Sequence, residues 1–538
     1  MRSSFLGLEV SKRTIQLAQK TLDITGGNLS NVHTEGYTRQ RIDVGSMYLN
    51  KYSNWQSRTS RMYLAGQGST AYGVNQVRDS YIDKRYREST CFVAEHSTAA
   101  DIMKEVETVL DNIDNTGLTA RIDSLKDALS KYAEQPDSDE LASIVRNEAY
   151  NITNLLHSYQ VELQNLKESN IESLQNTIEN TNTTIKDIVD MNKKIVKEYS
   201  VMATGKLGEG ESVTGSYGPN EMLDTRNLLL DELSYMGNIT VYDNPDGSVR
   251  VLMNGVEIIN GEKYEQLYMK GSTKNVNSED YTSELLRDYA AYDAAVLRWT
   301  SGDDAELKSG EIKAYVDALN GNGVYKSGYQ NDSYGIPYYE STIDAFANDF
   351  ANMMNYINGA VDENGKIIDP NRLMFCTKSC NEGLLEYEDE NMTASNIRIA
   401  NSWMDDATMI GQVQNKTTGE WSLSMDGDHV NELLVKMQNS VISFGGKGDF
   451  EGTVYNYLMF ISNRLGQQID YNEAQYDSAY DTTEALLDSR EAVSGVNSDE
   501  EGINMLVYQS WYNASSRMMT ALDDCLDRLI NNTGRVGL

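Results

Sequence analysis

At 538 residues the chain is longer than one hydrophobic core supports, and on size alone it divides into roughly three or four domains. Its apolar runs fall far short of the roughly 20 residues a spanning helix needs, and its start lacks the apolar stretch of a secretory signal, so neither a membrane span nor a cleaved leader is expected. The formal net charge of −35 is uneven: residues 1–90 hold thirteen Lys/Arg against seven Asp/Glu, leaving −41 on the remainder, an acidic body that argues against nucleic acid as a partner.

A first helix is expected over Phe5–Leu29. Leu8, Ser11, Ile15, Ala18, Leu22, Thr25, Leu29 and Val32 follow in alternating steps of three and four, which is coiled-coil spacing. The Asn28–Asn31 and Thr34–Gly36 signals end it, and Tyr37–Val44 reads as extended. Residues 45–75, with Gly66, Gly68 and Gly73, read as loop or irregular strand. From about Asn75 to Met202 apolar residues recur at helical spacing, with breaks at Thr116-Gly117 and Gln135-Pro136, predicting three or more long helices in a bundle. Gly205–Pro219 reads as loop and Asn220–Met236 as helix. The period then changes to two: Ile239 to Gly255 alternates around a Pro245-Asp246-Gly247 turn, which is hairpin chemistry. Strands extend to about Tyr268 and through Val296–Trp299. Helix returns over Ile312–Leu319, Tyr338–Ile357 and from Val454 past Leu487, while Asn358–Val435 mixes turns, short strands and short helices. After a break at Ser494-Gly495 a last helix places Met505, Tyr508, Tyr512, Ser515, Met519, Leu522, Leu526 and Leu529 on one stripe.

The expected fold is mainly α with a β-rich insertion. Residues 1–44 and 500–538 form a terminal coiled-coil region. Residues 45–237 and about 440–499 form a helical bundle, with 300–357 adding helices. Residues 238–299 form a hairpin-rich segment, and 358–435 a mixed or β-rich outer insertion.

Catalytic chemistry has little support. His33, His96, His157 and His429 stand apart without zinc-ligand spacing, and Cys376 and Cys380 lack a second pair, so no metal or cofactor is expected. Cys91 and Cys525 are too scattered to build a disulfide framework with them. There is no nucleophile elbow, Walker loop or dinucleotide fingerprint. Acidic pairs such as Asp303-Asp304 and Glu500-Glu501 are expected by chance among 81 acidic residues. The chain reads as structural rather than enzymatic.

Asn28, Asn31, Thr34, Gly36 and Tyr37, followed by Thr38-Arg39-Gln40-Arg41, form a string that resembles the signature of the axial proteins of the bacterial flagellum, the rod, hook and hook-associated proteins. Its Thr-Arg-Gln-Arg ending is similar to the group that joins hook to filament. Leu223-Asp224-Thr-Arg226 to Ser234 resembles a second block of that group, and Ser494-Gly495-Val496 to Glu501 with Tyr508-Gln509 and Tyr512-Asn-Ala514 a third. Leu307–Ile312 and Ile336–Tyr338 match weaker features. Asn227 stands where the family usually has Asp, and Glu35 where Pro is common.

The resemblance implies a structural subunit of the hook–filament junction. Its terminal helices would form the inner layer, the long helices the next, and the strand-rich material the outside. It also implies export through the flagellar type III channel without a cleaved signal, leaving the protein outside the cell on the flagellum. The implied partners are further copies in a ring, the hook protein, the second junction protein and a cytosolic chaperone that holds the last helix at Leu522, Leu526 and Leu529. A hook- or filament-type axial subunit is the nearest alternative. From other classes, a secreted peptidoglycan-cleaving enzyme and a surface adhesin using the Tyr325–Tyr339 stretch remain as secondary readings.

Overall fold

The computed structural model describes residues 4–46, 68–110, 117–204, 219–269, 294–362, 366–377, 391–414, 421–445 and 450–531. The chain opens with α1 (Ser4–Ser30), β1 (Gln40–Ser46) and β2 (Ser69–Gln76), then α2 (Ser80–Leu110), α3 (Leu118–Glu134), α4 (Asp139–Thr204) and α5 (Asn220–Met236). Strands β3 (Ile239–Asp243), β4 (Val249–Met253), β5 (Val256–Asn260), β6 (Lys263–Tyr264), β7 (Leu267–Met269) and β8 (Leu297–Trp299) follow, then α6 (Glu311–Asn320) and α7 (Ile336–Ile357). Next come β9 (Phe375–Cys376), β10 (Arg398–Ile399), α8 (Asn401–Asp405), β11 (Gln412–Gln414), β12 (Trp421–Met425), α9 (Gly427–Asn439), β13 (Ile442–Phe444) and β14 (Phe450–Gly452). Helices α10 (Val454–Ser494) and α11 (Ser498–Asn531) close the described chain. The fold is mainly helical, with small antiparallel sheets between helices.

The chain makes two compact units, one of Met1–Cys91, Thr181–Gln266 and Ala479–Leu538, the other of Phe92–Asn180 and Leu267–Ser478. Helices α2, α4 and α10 each contribute a stretch to both.

In the first unit, β1 and β2 pair antiparallel from Gln40↔Gln76 to Ser46↔Ser69, with an irregularity after Asp43. Residues 69–76 thus take the second of the two readings, an irregular strand, and the long helix α2 begins at Ser80 instead of near 75. Ile42 and Val74 of this pair pack on Leu17 and Ile24 of α1. The meander β3-β4-β5-β6 buries Val249, Val251 and Met253 on alternate positions of β4. Its β4–β5 turn is Asn254-Gly255 with φ of 51° and 90°, the two positive angles that a two-residue hairpin of this twist needs.

The second unit is built on apolar periodicity. Ala142, Val145, Ala149, Ile152, Leu156, Tyr159 and Leu163 form one continuous buried stripe of α4 at steps of three and four. Ile122, Leu125, Leu129 and Tyr132 of α3 and Val454, Tyr457, Leu458, Ile461 and Leu465 of α10 join the same core. An aromatic stack fills its middle: Phe444 lies flat on Tyr457 at 4.0 Å between ring centroids, and Phe346 on Phe350 at 5.6 Å. Residues from the mixed stretch after Asn358, including Phe375, Trp403, Val430 and Leu433, are buried in this core too. Asn355 is the polar hinge of that arrangement, accepting from the N–H groups of Met374 and Phe375 and donating to the Phe375 carbonyl. Tyr338 and Tyr339 are buried within the core while Tyr329 is exposed, so most of the aromatic weight of the Tyr325–Tyr339 stretch is structural. Cys380 and its neighbours in 378–390, like the Gly205 end of the loop before α5, lie outside the described residues.

Candidate functional site

Helix α1 ends where its sequence string begins, and the string folds into a hydrogen-bonded knot around Asn28. This side chain is 1% exposed. Its Oδ1 accepts from the Tyr37 hydroxyl at 2.9 Å and the Gln40 N–H at 3.0 Å, while Nδ2 donates to the Gln40 carbonyl at 3.0 Å and to Glu501 Oε2 at 3.3 Å. Both ends of the amide are therefore used, as a buried amide requires. Asn31 turns the chain by donating to the Gly27 carbonyl and accepting from the Thr34 hydroxyl. Gly36 then takes φ of +75°, and a Cβ there would lie 2.5 Å from the side chain of Leu228, so both conformation and space demand glycine. Burial, with help from Asp224 and other nearby carboxylates, pushes the Tyr37 phenol up to about 12 and keeps its proton available for Asn28.

The far end of the chain completes the knot. Arg39 donates through Nε to Glu501 Oε1 at 2.8 Å and through Nη1 to Glu500 at 3.0 Å, and its backbone N–H binds the Ser494 carbonyl at 2.8 Å. Glu501 is 2% exposed, so its charge depends on Arg39 and Asn28. The first and third sequence strings, some 460 residues apart, are thus one clasp. The middle string joins them. Gln76 donates to Asp224 at 2.8 Å, Thr38 hydrogen-bonds the same carboxylate, and Asn220 reaches the Gln40 side chain at 3.2 Å. Below, Asp83 is shared by Arg78 and Arg490, and Asp231 by Arg87 and Arg490. Sequence reading did not single out these five residues as a site and held Glu501 only as the end of the third string, because no local pattern marks a pairing between distant helices.

From the clasp, α1 and α11 run together. Asn28 meets Glu501 at one end, and Gly7 lies against Leu522 at the other, 21 residues away along each helix, so the pair is antiparallel over about 30 Å. On α1 the buried residues are Ser11, Leu17, Ala18, Thr21, Ile24, Thr25 and Asn28. The small residues let the helices approach, and the Ser11 and Thr21 hydroxyls return to carbonyls of their own helix, so their burial leaves no orphaned polar group. Leu8, Ile15, Leu22 and Val32 are half-buried and Leu29 is exposed. The buried arc differs from the coiled-coil stripe because α1 has two neighbours, α11 and the β1–β2 pair, and Leu17 and Ile24 face the second. On α11 Tyr508, Tyr512, Met519, Leu522 and Leu526 are half-buried, while Leu529 is 53% exposed.

A second apolar stripe on α11 is exposed. Ile503, Val507, Ala514, Met518, Ala521 and Cys525 are all exposed and recur at three, four or seven, which holds them to one face. Trp511 and Leu529 flank it, 47% and 53% exposed. Its periodicity was present in the sequence but was masked by the stronger stripe beside it. No group of His, Cys, Asp and Glu among the described residues could hold a metal ion, and no described helix is long and apolar enough to cross a membrane.

Residues 103–370 match the family model described as the helical domain of flagellar hook-associated protein FlgK, and residues 490–532 match that of the C-terminal region of flagellar basal body rod FlgEFG proteins. Flagellar hook-associated protein 1 of Bacillus subtilis is 26% identical over 558 aligned residues, covering 99% of both chains. The Salmonella typhimurium protein of the same name is 21% identical, covering 96% of this chain and 98% of its own. A solved structure, the flagellar hook junction protein FlgK from Burkholderia pseudomallei, aligns over 54% of this chain and 46% of its own at 16% identity with a TM-score of 0.38.

Proposed function

We propose, from the premise that the chain belongs to the flagellar hook-associated protein 1 family, that it is a structural subunit of the junction between hook and filament, assembling through its two terminal helices. The family relatives are flagellar structural proteins, and no catalytic role is assigned to this chain. The observation that carries the reading is the second stripe of α11: it lies open beside the stripe that packs on α1. Burying large side chains such as Ile503 and Met518 against neighbouring copies contributes about 1.5–3 kcal/mol each. The clasp at Asn28, Arg39 and Glu501 fixes the register of α11 against α1 and so presents that stripe in a fixed direction. Asn31, Thr34, Gly36 and Asp224 support it, while Arg226 donates instead to Asn192 and the Gly247 carbonyl, and Leu8, Ile15, Leu22 and Leu29, still partly open on α1, extend the apolar surface.

Below this ring the subunit contacts the hook protein, and above it the second junction protein. Before export through the type III channel, a cytosolic chaperone covers Leu522, Leu526 and Leu529, which would otherwise expose an aggregation-prone face. The test is to add purified protein to isolated hooks and count the layers by electron microscopy, comparing Met518→Asp and Asn513→Asp, both at exposed positions of α11. A single finite collar with the native chain and Asn513→Asp, lost with Met518→Asp while its circular dichroism is unchanged, is expected. Unlimited growth would make this a hook- or filament-type subunit, and a normal collar from Met518→Asp would remove the stripe from assembly.

A further inference from the structure

A groove of about 1170 Å³ opens in the first unit beside the clasp, between the turn that follows α1, the start of α2, the second half of α5 and the end of α10. Leu228, Tyr235 and Leu487 stand along it, each more than a third exposed, so apolar surface faces water here. Its three arginines are already committed: Arg39 to Glu500 and Glu501, Arg78 to Asp83, and Arg490 to Asp83 and Asp231. Glu35, Glu232 and Glu491 also line the groove, all three exposed, and none forms an ion pair with a described residue. Apolar walls and three uncompensated carboxylates are the complement of a ligand that is both cationic and apolar.

This chain itself carries that chemistry. Residues 1–90 hold a surplus of six positive charges, and half of it falls in residues 47–67, which contain Lys51, Arg58 and Arg61 and no Asp or Glu. Tyr48, Tyr52, Trp55 and Tyr63 are interleaved with these cations, giving large apolar faces at low entropic cost. The stretch lies outside the described residues, between Ser46 and Gly68. Reach decides whose groove it can enter. Ser46 pairs with Ser69, and Gly68 lies against Val10, so both of its ends are held near the start of α1. The groove begins at Asn31, 21 residues beyond Val10 and so about 30 Å away along the helix. Measured from those anchors at full extension, Lys51 reaches only about 18 Å and Arg61 about 25 Å. Within one copy both cations fall short, and only the apex around Ser57 could touch the groove.

We propose that the groove receives residues 47–67 of a second copy of this chain, the aromatic side chains lying against Leu228, Tyr235 and Leu487 and the cations meeting Glu35, Glu232 and Glu491. The contact is heterologous: each copy gives one stretch and takes one, an arrangement that closes into a ring when the rotation between copies permits. That the donor is a second copy rests on the assembly reading, whereas the preference of the groove for this peptide does not.

The experiment titrates a dye-labelled synthetic peptide of residues 47–67 with the full chain, followed by fluorescence anisotropy at fixed pH and ionic strength. Saturable one-site binding is expected. It should weaken roughly five- to tenfold with the double variant Glu232→Gln and Glu491→Gln, and similarly with a peptide carrying Lys51→Gln, Arg58→Gln and Arg61→Gln. Asp187→Asn with Glu198→Gln makes the same change of charge at exposed positions of α4 in the same unit and should leave the affinity unchanged. No binding, or equal weakening by both double variants, overturns the proposal, the latter showing only the general attraction of an acidic chain for a basic peptide. Collars on isolated hooks separate the two readings. Native collars without peptide binding leave assembly standing and remove the groove from it, and peptide binding by a chain that forms no collar removes the second copy as the donor.

Discussion

The core of the second unit and the clasp of the first are held by different means. The second unit closes on a continuous apolar core with stacked aromatics, in which almost any well-shaped hydrophobic residue does the same work. The first unit also buries apolar residues, such as Ile185, Leu230, Leu233, Val251 and Ile259 and the patch of Leu17, Ile24, Ile42 and Val74, but where its chain ends meet, the clasp relies on buried hydrogen bonds and shared ion pairs. Apolar packing is tolerant of sequence and indifferent to salt, whereas the clasp accepts few substitutions and specifies one geometry. That difference explains why the recognisable strings fall where they do: Asn28, Gly36, Arg39, Asp224 and Glu501 have no substitutes, and so they read as a signature.

Three measurements break or sharpen this contrast. The largest effect is expected from Phe444→Ala, which empties the centre of the aromatic stack and costs about 3–5 kcal/mol of the second unit. Hydrogen exchange by mass spectrometry should show faster exchange in α7 and α10 peptides with α1 unchanged, and equal acceleration in α1 would erase the distinction between the units. Next, Arg39→Ala leaves Glu501 buried with only Asn28 to meet its charge, at a cost of about 3 kcal/mol. Its exchange signature should be confined to residues 28–41 and 494–501 and should be only partly rescued by Arg39→Lys, which keeps the charge and loses the fork.

The smallest effect concerns pH. In the second unit His429, edge-on to Trp421 at 5.2 Å, is held down to about 4 by burial and by Arg372, with Lys436 adding to this and Glu432 opposing it. Its folded value lies below the unfolded 6.5, so the unfolded chain binds more protons as pH falls from 6.5 toward 4 and stability is lost in that window. About 1 kcal/mol should disappear between pH 7 and 5.5 in urea denaturation followed by tryptophan fluorescence. Half-buried Asp344 and Asp349, raised by desolvation, act with the opposite sign at lower pH, so the slope of His429→Gln against the native chain isolates the histidine.

Long helices were legible because their apolar positions repeat over many turns, as along Ala142–Leu163. The β3–β4 hairpin was legible from its alternation and turn. Strand β2 was legible only as one of two readings, loop or irregular strand: Ser69-Thr-Ala-Tyr-Gly-Val-Asn-Gln76 carries two small residues and a glycine, and pairing with β1 is what makes it a strand. The strings could be read as strings, but their meeting could not, since Arg39 and Glu501 are one choice among 46 basic and 81 acidic residues. Nor could spacing reveal that α1 divides its apolar residues between two neighbours, which is why Leu29 lies open while Leu17 and Ile24 are buried.

The antiparallel course of α1 and α11 has a mechanical meaning. The start of α1 and the last turns of α11 lie together at the Gly7–Leu522 end of the pair, while the clasp closes the other. A force that parts the two ends peels the helices turn by turn, breaking a few apolar contacts at a time, and reaches the hydrogen-bonded knot last. A force directed along the helices must instead shear every turn and the Arg39–Glu501 pair at once. The same joint is therefore soft to prying and stiff to tension and torque.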